Sequence, residues 1–178
     1  MAHRALTGVL LVGGASERFG SPKALARFDG ETLAERAWRT LGDACDERLA
    51  VGKGGELRLP FDVLDDGSDV RAPIAGAVAG LRAAAHDVCV FLPVDCPHVT
   101  ADVLRAFGEA CQDAAVTAEG PLPGAWATSS LAVLERRIRD GHLSLLDAYE
   151  ELDVVTVDID PALVADADTP EELARLLR

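Results

Sequence analysis

Lysine is almost missing from this chain. Only two occur in 178 residues, Lys23 and Lys53, and 17 Lys and Arg stand against 30 Asp and Glu for a formal net charge of −13. A surface this acidic repels polyanions, which argues against nucleic acid as a partner. Aromatic residues are also scarce at 4%, so Ala, Val and Leu must fill the core that a 49% hydrophobic composition allows. No stretch approaches the roughly 20 apolar residues of a membrane span. Residues 1–4 lead straight into a short strand-like run, without the apolar region and small-residue cleavage site of a signal peptide. Cys45, Cys89, Cys96 and Cys111 include no CxxC pair and read as reduced thiols of a cytoplasmic protein. Neither GxGxxG nor GxxxxGK[ST] occurs, so the dinucleotide fingerprint and the P-loop are both absent.

What is present is an alternation of apolar runs and helical patterns, the mark of βα units around a mainly parallel sheet. Residues 6–12, 48–51, 62–64, 88–94, 114–118 and 154–159 read as strands, with 88–94 the most apolar and therefore central. Residues 32–41, 74–85, 103–111, 131–139 and 144–152 read as helices, the last with Ser144 and Asp147 spaced as a capping pair. Residues 119–128 hold two prolines, two glycines and Trp126, and read as a loop leading into a short strand. Thr169-Pro170-Glu171-Glu172 is a strong helix start. The expectation is an α/β fold: a single doubly wound, Rossmann-like, three-layer α/β/α domain over residues 1–178, with its ligand site at the carboxyl ends of the strands.

In an acidic chain any phosphate site has to be assembled locally, from backbone N–H groups, a few cations and a metal. One stretch has that composition: "GGASERFGSPK", residues 13–23. Gly13 and Gly14 after a buried strand allow a tight turn whose N–H groups form an anion-binding concavity. Arg18 can fork onto phosphate oxygens and Lys23 can supply a point charge. Gly-Gly alone would be an ordinary strand–turn loop. The whole string, "LLVGGASERFGSPKAL", resembles the signature L-x-G-G-x-S-x-R-(M/F)-G-x-x-K of sugar-nucleotide-pyrophosphorylase-like nucleotidyltransferases, through Gly13, Gly14, Ser16, Arg18, Phe19, Gly20 and Lys23.

Within that superfamily the chain is similar to the molybdenum cofactor guanylyltransferases. "DDGSDVRAPIAGAVAGL" (65–81), "FLPVDCPHV" (91–99) and "DADTPEEL" (166–173) carry the likeness in the expected order. The resemblance implies transfer of GMP from GTP to the terminal phosphate of molybdopterin, with release of pyrophosphate and with Mg²⁺ as cofactor. It implies nucleotide contacts from Leu11, Gly13, Gly14, Lys23, Asp66 and Asp95, catalytic charge from Arg18 and Lys23, and metal ligation by Asp95 and Asp168. It also implies molybdoenzyme-maturation proteins as partners and a monomer or weak oligomer.

Each position has a plainer reading beside this one. Asp95 could cap a turn before Pro97, Asp168 could complement a helix dipole, and Asp66 could belong to an ordinary Asp-Gly turn. Arg71 could reach phosphates or stand in solvent. Lys53 reads as a flexible loop tip. Trp126 could stack on a pterin ring or cover a sheet. Cys89, Cys96 and His98 form an irregular cluster without structural-zinc spacing, and Cys96 as a nucleophile would need a base beside it. Ser129 and Ser130 lack a nucleophile elbow.

The sequence departs from the guanylyltransferase pattern at three points. Ala72 replaces the glycine before Pro73, which would hold that backbone differently. Asp166-Ala-Asp168 replaces N-x-N, a form associated with cytidylyltransferases acting on the same pterin. The strand before Gly52 lacks an asparagine. These departures bear on the base assignment and not on the reaction class. The alternatives are a cytidylyltransferase on the same pterin, a transferase for another small phosphorylated acceptor, or a degenerate nucleotide-binding module, whose sign would be loss of Arg18, Lys23 or Asp95, all of which are present.

Overall fold

A computed structural model describes residues 4–13, 19–53 and 57–178. The strands and helices follow one another as β1 (Thr7–Leu11), β2 (Arg27–Phe28), β3 (Glu31–Thr32), α1 (Leu33–Ala44), β4 (Glu47–Gly52), β5 (Leu64–Asp65), α2 (Pro73–Ala83), β6 (Val88–Pro93), α3 (Ala101–Ala110), β7 (Ala114–Thr117), β8 (Gly120–Ala127), α4 (Leu131–Arg139), β9 (Val154–Thr156) and α5 (Pro170–Leu176). Seven strands form the main sheet in the order β5-β4-β1-β6-β8-β7-β9. All neighbours run parallel except at β8, which is antiparallel to both β6 and β7. The expected mainly parallel α/β sheet is what forms.

Strand alternation divides the apolar residues between two faces. Leu10, Val90 and Leu92 join the core under α1 and α3, whereas Val9, Cys89 and Phe91 join the core under α2. The Ala- and Gly-rich composition of α2 lets it lie close to the sheet. A Cβ at Gly80 would stand 2.9 Å from both Phe91 and Val9. α1 starts at a capping box in which Glu35 N–H donates to Thr32 Oγ1 and Thr32 N–H donates to Glu35 Oε2.

Three segments differ from expectation. Residues 120–127 form an eight-residue strand rather than a loop with a short strand. Its prolines mislead because Pro121 and Pro123 lie beyond Gly124, where pairing with β6 ends opposite Phe91; there a missing N–H costs no bond to β6. Residues 144–152 give a 3₁₀ turn over Leu146–Glu151 rather than an α-helix, although Asp147 N–H does donate to Ser144 Oγ at 3.2 Å. The antiparallel β2–β3 pair was not anticipated; it turns through Asp29 (φ 50°) and Gly30 (φ 88°), a two-residue hairpin.

Trp126 is fully buried, its ring centroid 6.2 Å from that of Tyr149 and its indole N–H donating to the Pro121 carbonyl at 3.4 Å. It is a core residue, with no face left for a ligand. Trp126→Ala is expected to cost about 3–5 kcal/mol of stability, measured by urea unfolding.

Candidate functional site

The carboxyl ends of β5, β4, β1 and β6 set four loops side by side. Asp66 follows β5, Lys53 follows β4, Gly13 stands two residues past β1, and Asp95 stands two past β6. Val12 N–H donates to the Val51 carbonyl at 3.0 Å, holding the first loop against the end of β4. The approach is close: a Cβ at Gly13 would lie 3.3 Å from Gly52 Cα and 3.5 Å from Lys53 N. A side chain at 13 would crowd the end of β4. The Leu11 side chain is buried toward α2, and its carbonyl accepts from Val94 N–H at 3.3 Å. Gly14 and Arg18 lie outside the described residues.

Lys23 opens a short 3₁₀ turn, Lys23–Leu25, pinned by buried Ala24 between buried Phe19 and Phe28. That anchorage aims its side chain across the crevice. Nζ donates to Asp95 Oδ2 at 2.9 Å and to Asp168 Oδ1 at 2.8 Å. Burial works against the ammonium charge, but the hydrogen bonds to Asp168 and Asp95 outweigh it and hold the pKa above the ordinary lysine value.

Asp168 reaches this point through local chemistry that the sequence displays. Ala167 N–H donates to the Asp95 carbonyl at 3.0 Å, joining the two segments through the main chain. Glu172 Oε2 accepts from the N–H groups of Asp168 (2.7 Å) and Thr169 (3.1 Å), while Thr169 caps Glu172 N–H. The capping box that starts α5 thus also fixes the aspartate before it. Asp166 joins the group: one oxygen from each of Asp95, Asp166 and Asp168 lies within 4.8 Å of the others. An all-carboxylate oxygen set suits a hard divalent cation, and the Lys23 ammonium already stands against two of its members.

The other residues singled out in the sequence lie as follows. Asp66 is nearly covered, its side chain 8% exposed, and pairs with Lys53. Lys53 is therefore no free loop tip; its rarity in this chain was the signal available. Arg71 is exposed at the entry to α2. Ala72 is the N-cap of α2 at φ −140° and ψ 151°, an extended conformation that needs no glycine. Cys89 and Cys96 pack in different cores, and His98 Nε2 lies 2.8 Å from the Leu176 carbonyl, so these three residues do not form a zinc site. The Cys96 thiol is pushed well above its ordinary pKa by burial and by the Asp95 charge, which leaves it unsuited to nucleophilic attack. Ser129 donates to Asp113, and Ser130 to the Ala127 carbonyl, at the amino-terminal end of β6 and away from the crevice. No helix among the described residues is long and apolar enough to cross a membrane.

A family model for the MobA-like NTP transferase domain matches residues 8–155. The chain belongs to the MobA-like NTP transferases. It is 32% identical to a molybdenum cofactor guanylyltransferase of Burkholderia orbicola over 99% of this chain and 98% of that protein. It is 29% identical to one of Desulfosudis oleivorans over 96% and 94%. Among solved structures, the molybdopterin-guanine dinucleotide biosynthesis protein A of Archaeoglobus fulgidus superposes with a TM-score of 0.80 at 26% identity, covering 96% of each chain. A 2-C-methyl-D-erythritol 4-phosphate cytidylyltransferase of Thermus thermophilus shares the fold, with a TM-score of 0.74 at 20% identity. The fold and reaction class expected from the nucleotidyltransferase resemblance are thus those of the family.

Removing the lysine leaves the aspartates facing one another without its charge. Lys23→Ala is expected to lower Tm by a few degrees, the scale of about 1 kcal/mol in a chain of this length. Millimolar Mg²⁺ should raise Tm more in the variant than in the wild type, as read by differential scanning fluorimetry.

Proposed function

We propose that this nucleotidyltransferase moves GMP from GTP to the terminal phosphate of molybdopterin and releases pyrophosphate. The observation that carries the reading is the Lys23 ammonium at 2.8–2.9 Å from Asp168 and Asp95, beside the Gly13 loop. It gives an acidic chain a cation where a triphosphate would have to lie. The names of the Burkholderia and Desulfosudis relatives supply the nucleotide and the acceptor.

In the reaction an oxygen of the acceptor phosphate bonds to the α-phosphorus. The bond to the β-phosphate oxygen breaks, and pyrophosphate leaves with the electron pair. The acceptor phosphate is already largely ionised near neutral pH, so no strong base is required and catalysis is positioning and charge neutralisation. Gly13, followed by Gly14, brings main-chain N–H groups to the phosphates. Lys23, together with Arg18, neutralises the charge that builds on the departing pyrophosphate. Asp95 and Asp168 would hold Mg²⁺, with Asp166 adjacent. Bound there, the ion would supply charge neutralisation for the phosphates. Asp66 faces the nucleotide from the far side of Gly13. The reduced thiols suit the cytoplasm, where we place the enzyme.

The D-x-D-T-P form at 166–170 keeps a second reading in view, CTP in place of GTP on the same acceptor. A pyrophosphate-release screen of the four ribonucleoside triphosphates, with and without molybdopterin, separates the two. Turnover is expected with GTP, Mg²⁺ and acceptor together; turnover with CTP alone would replace the base assignment, and none with any nucleotide would remove the reading. Lys23→Ala should lower kcat by about 10²–10³ with the circular dichroism spectrum unchanged. Asp95→Ala should abolish the Mg²⁺-dependent step.

A further inference from the structure

The second lysine is also tied to an aspartate at the carboxyl edge of the sheet. Asp66 N–H donates to the Gly52 carbonyl at 3.0 Å, which sets Asp66 beside Lys53. Lys53 Nζ donates to Asp66 Oδ1 at 2.6 Å, to the Val70 carbonyl at 3.2 Å and to the Ser68 carbonyl. An ammonium has three donors, and these contacts use all three. Asp66 Oδ1 also accepts from Ser68 N–H at 3.0 Å. Its two acceptor positions are thereby filled from within the protein.

Asp66 Oδ2 is different. It takes no hydrogen bond from the described residues, yet it is not among their buried unsatisfied atoms. A side chain only 8% exposed therefore turns one oxygen inward to the lysine and leaves the other reachable from solvent. Lysine and the 66–70 turn leave it little freedom to rotate.

We infer that Lys53 is a positioning residue for base choice: it holds Asp66 so that Oδ2 is presented to two adjacent N–H donors of a nucleobase. A salt-bridged carboxylate only accepts. Guanine alone among the four common bases carries two neighbouring N–H donors, the N1 imino and the N2 amino groups. Adenine and cytosine place an amino group beside a ring-nitrogen acceptor, and uracil places its imino group between two carbonyls. Each of those three sets a lone pair against the carboxylate. A site built to accept N–H groups rejects analogues that lack them far more strongly than a shape-matched pocket does. The inference rests on the guanylyl-transfer reading and supplies what that reading lacks, a residue outside the phosphate site that selects the nucleotide.

The test compares GTP with ITP, which keeps the imino N–H and lacks the 2-amino group. Steady-state pyrophosphate release and calorimetric binding are measured for the wild type, Lys53→Met and Asp66→Asn. The wild type is expected to prefer GTP. In Lys53→Met, KM for GTP should rise about tenfold with kcat within about twofold, while ITP, which offers one of the two N–H groups, loses less, so the preference shrinks. Asp66→Asn should shrink it as well. A role in folding alone would lower Tm and weaken both nucleotides equally, which overturns the inference. So does a GTP-to-ITP ratio that Lys53→Met leaves at the wild-type value; in that case guanylyl transfer itself still stands. A wild type that uses CTP and not GTP fails the functional reading instead, and the two failures are told apart by the wild type alone. Should Lys53→Met not fold, Lys53→Arg, which keeps the charge but replaces three separate donors by a planar fork, is read in the same ratio.

Discussion

A single ammonium group between two carboxylates organises the crevice of this protein. The three acidic oxygens at Asp95, Asp166 and Asp168 come within 4.8 Å of one another in a chain already carrying a net charge of −13. Like charges this close are costly, and the Lys23 side chain, only 13% exposed, offsets them from a partly dry position. Lysine suits the task better than arginine, since a compact point charge on a flexible stem can sit between two carboxylates and can also leave them. Much local structure serves this contact. Ala24 pins the turn that carries the lysine, the Ala167–Asp95 main-chain bond brings the last segment to the first, and the Glu172 cap fixes Asp168.

The strand order divides the crevice into functions. Gly13 lies at its centre, after β1. On one side, after β6, is Asp95, joined there by Asp166 and Asp168 from the segment before α5; on the other, after β4 and β5, are Lys53 and Asp66. Both lysines of the chain occur here, and both are paired with aspartate. Among the arginines, Arg36 ties α1 to the Pro97 carbonyl, and Arg48 lies over the Trp38 ring.

Much of this was legible in the sequence, for identifiable reasons. The 88–94 run is apolar on both faces because its strand is covered on both, and the Thr169-Pro170-Glu171-Glu172 start carries its own capping chemistry. Lys23, Asp95 and Asp168 could be named because they lie within fixed-spacing motifs. What could not be read depends on distant partners. Residues 120–127 form a strand although they contain prolines, because β6 stops pairing with β8 at Phe91, short of both prolines, and nothing within the segment announces that. The β2–β3 hairpin is two residues per strand, too short for periodicity to register. Lys53 looked like a loop tip because its acceptors lie 13 to 17 residues further on. The extended backbone at Ala72 is likewise set by the start of α2, so the missing glycine there carries less meaning than the family pattern suggested.

The contact between Lys23 and Asp168 also has a temporal side. It spans 145 positions of the chain, and closing so wide a loop comes late in folding, after the local turns and the strand pairs have formed. On the ribosome, where synthesis proceeds from the amino terminus at about 5–20 residues per second, the lysine emerges many seconds before the aspartate that completes its setting. A nascent chain holding only the first four parallel strands therefore lacks half of the lysine's counter-charge, and it cannot mature into a nucleotide trap until α5 has docked.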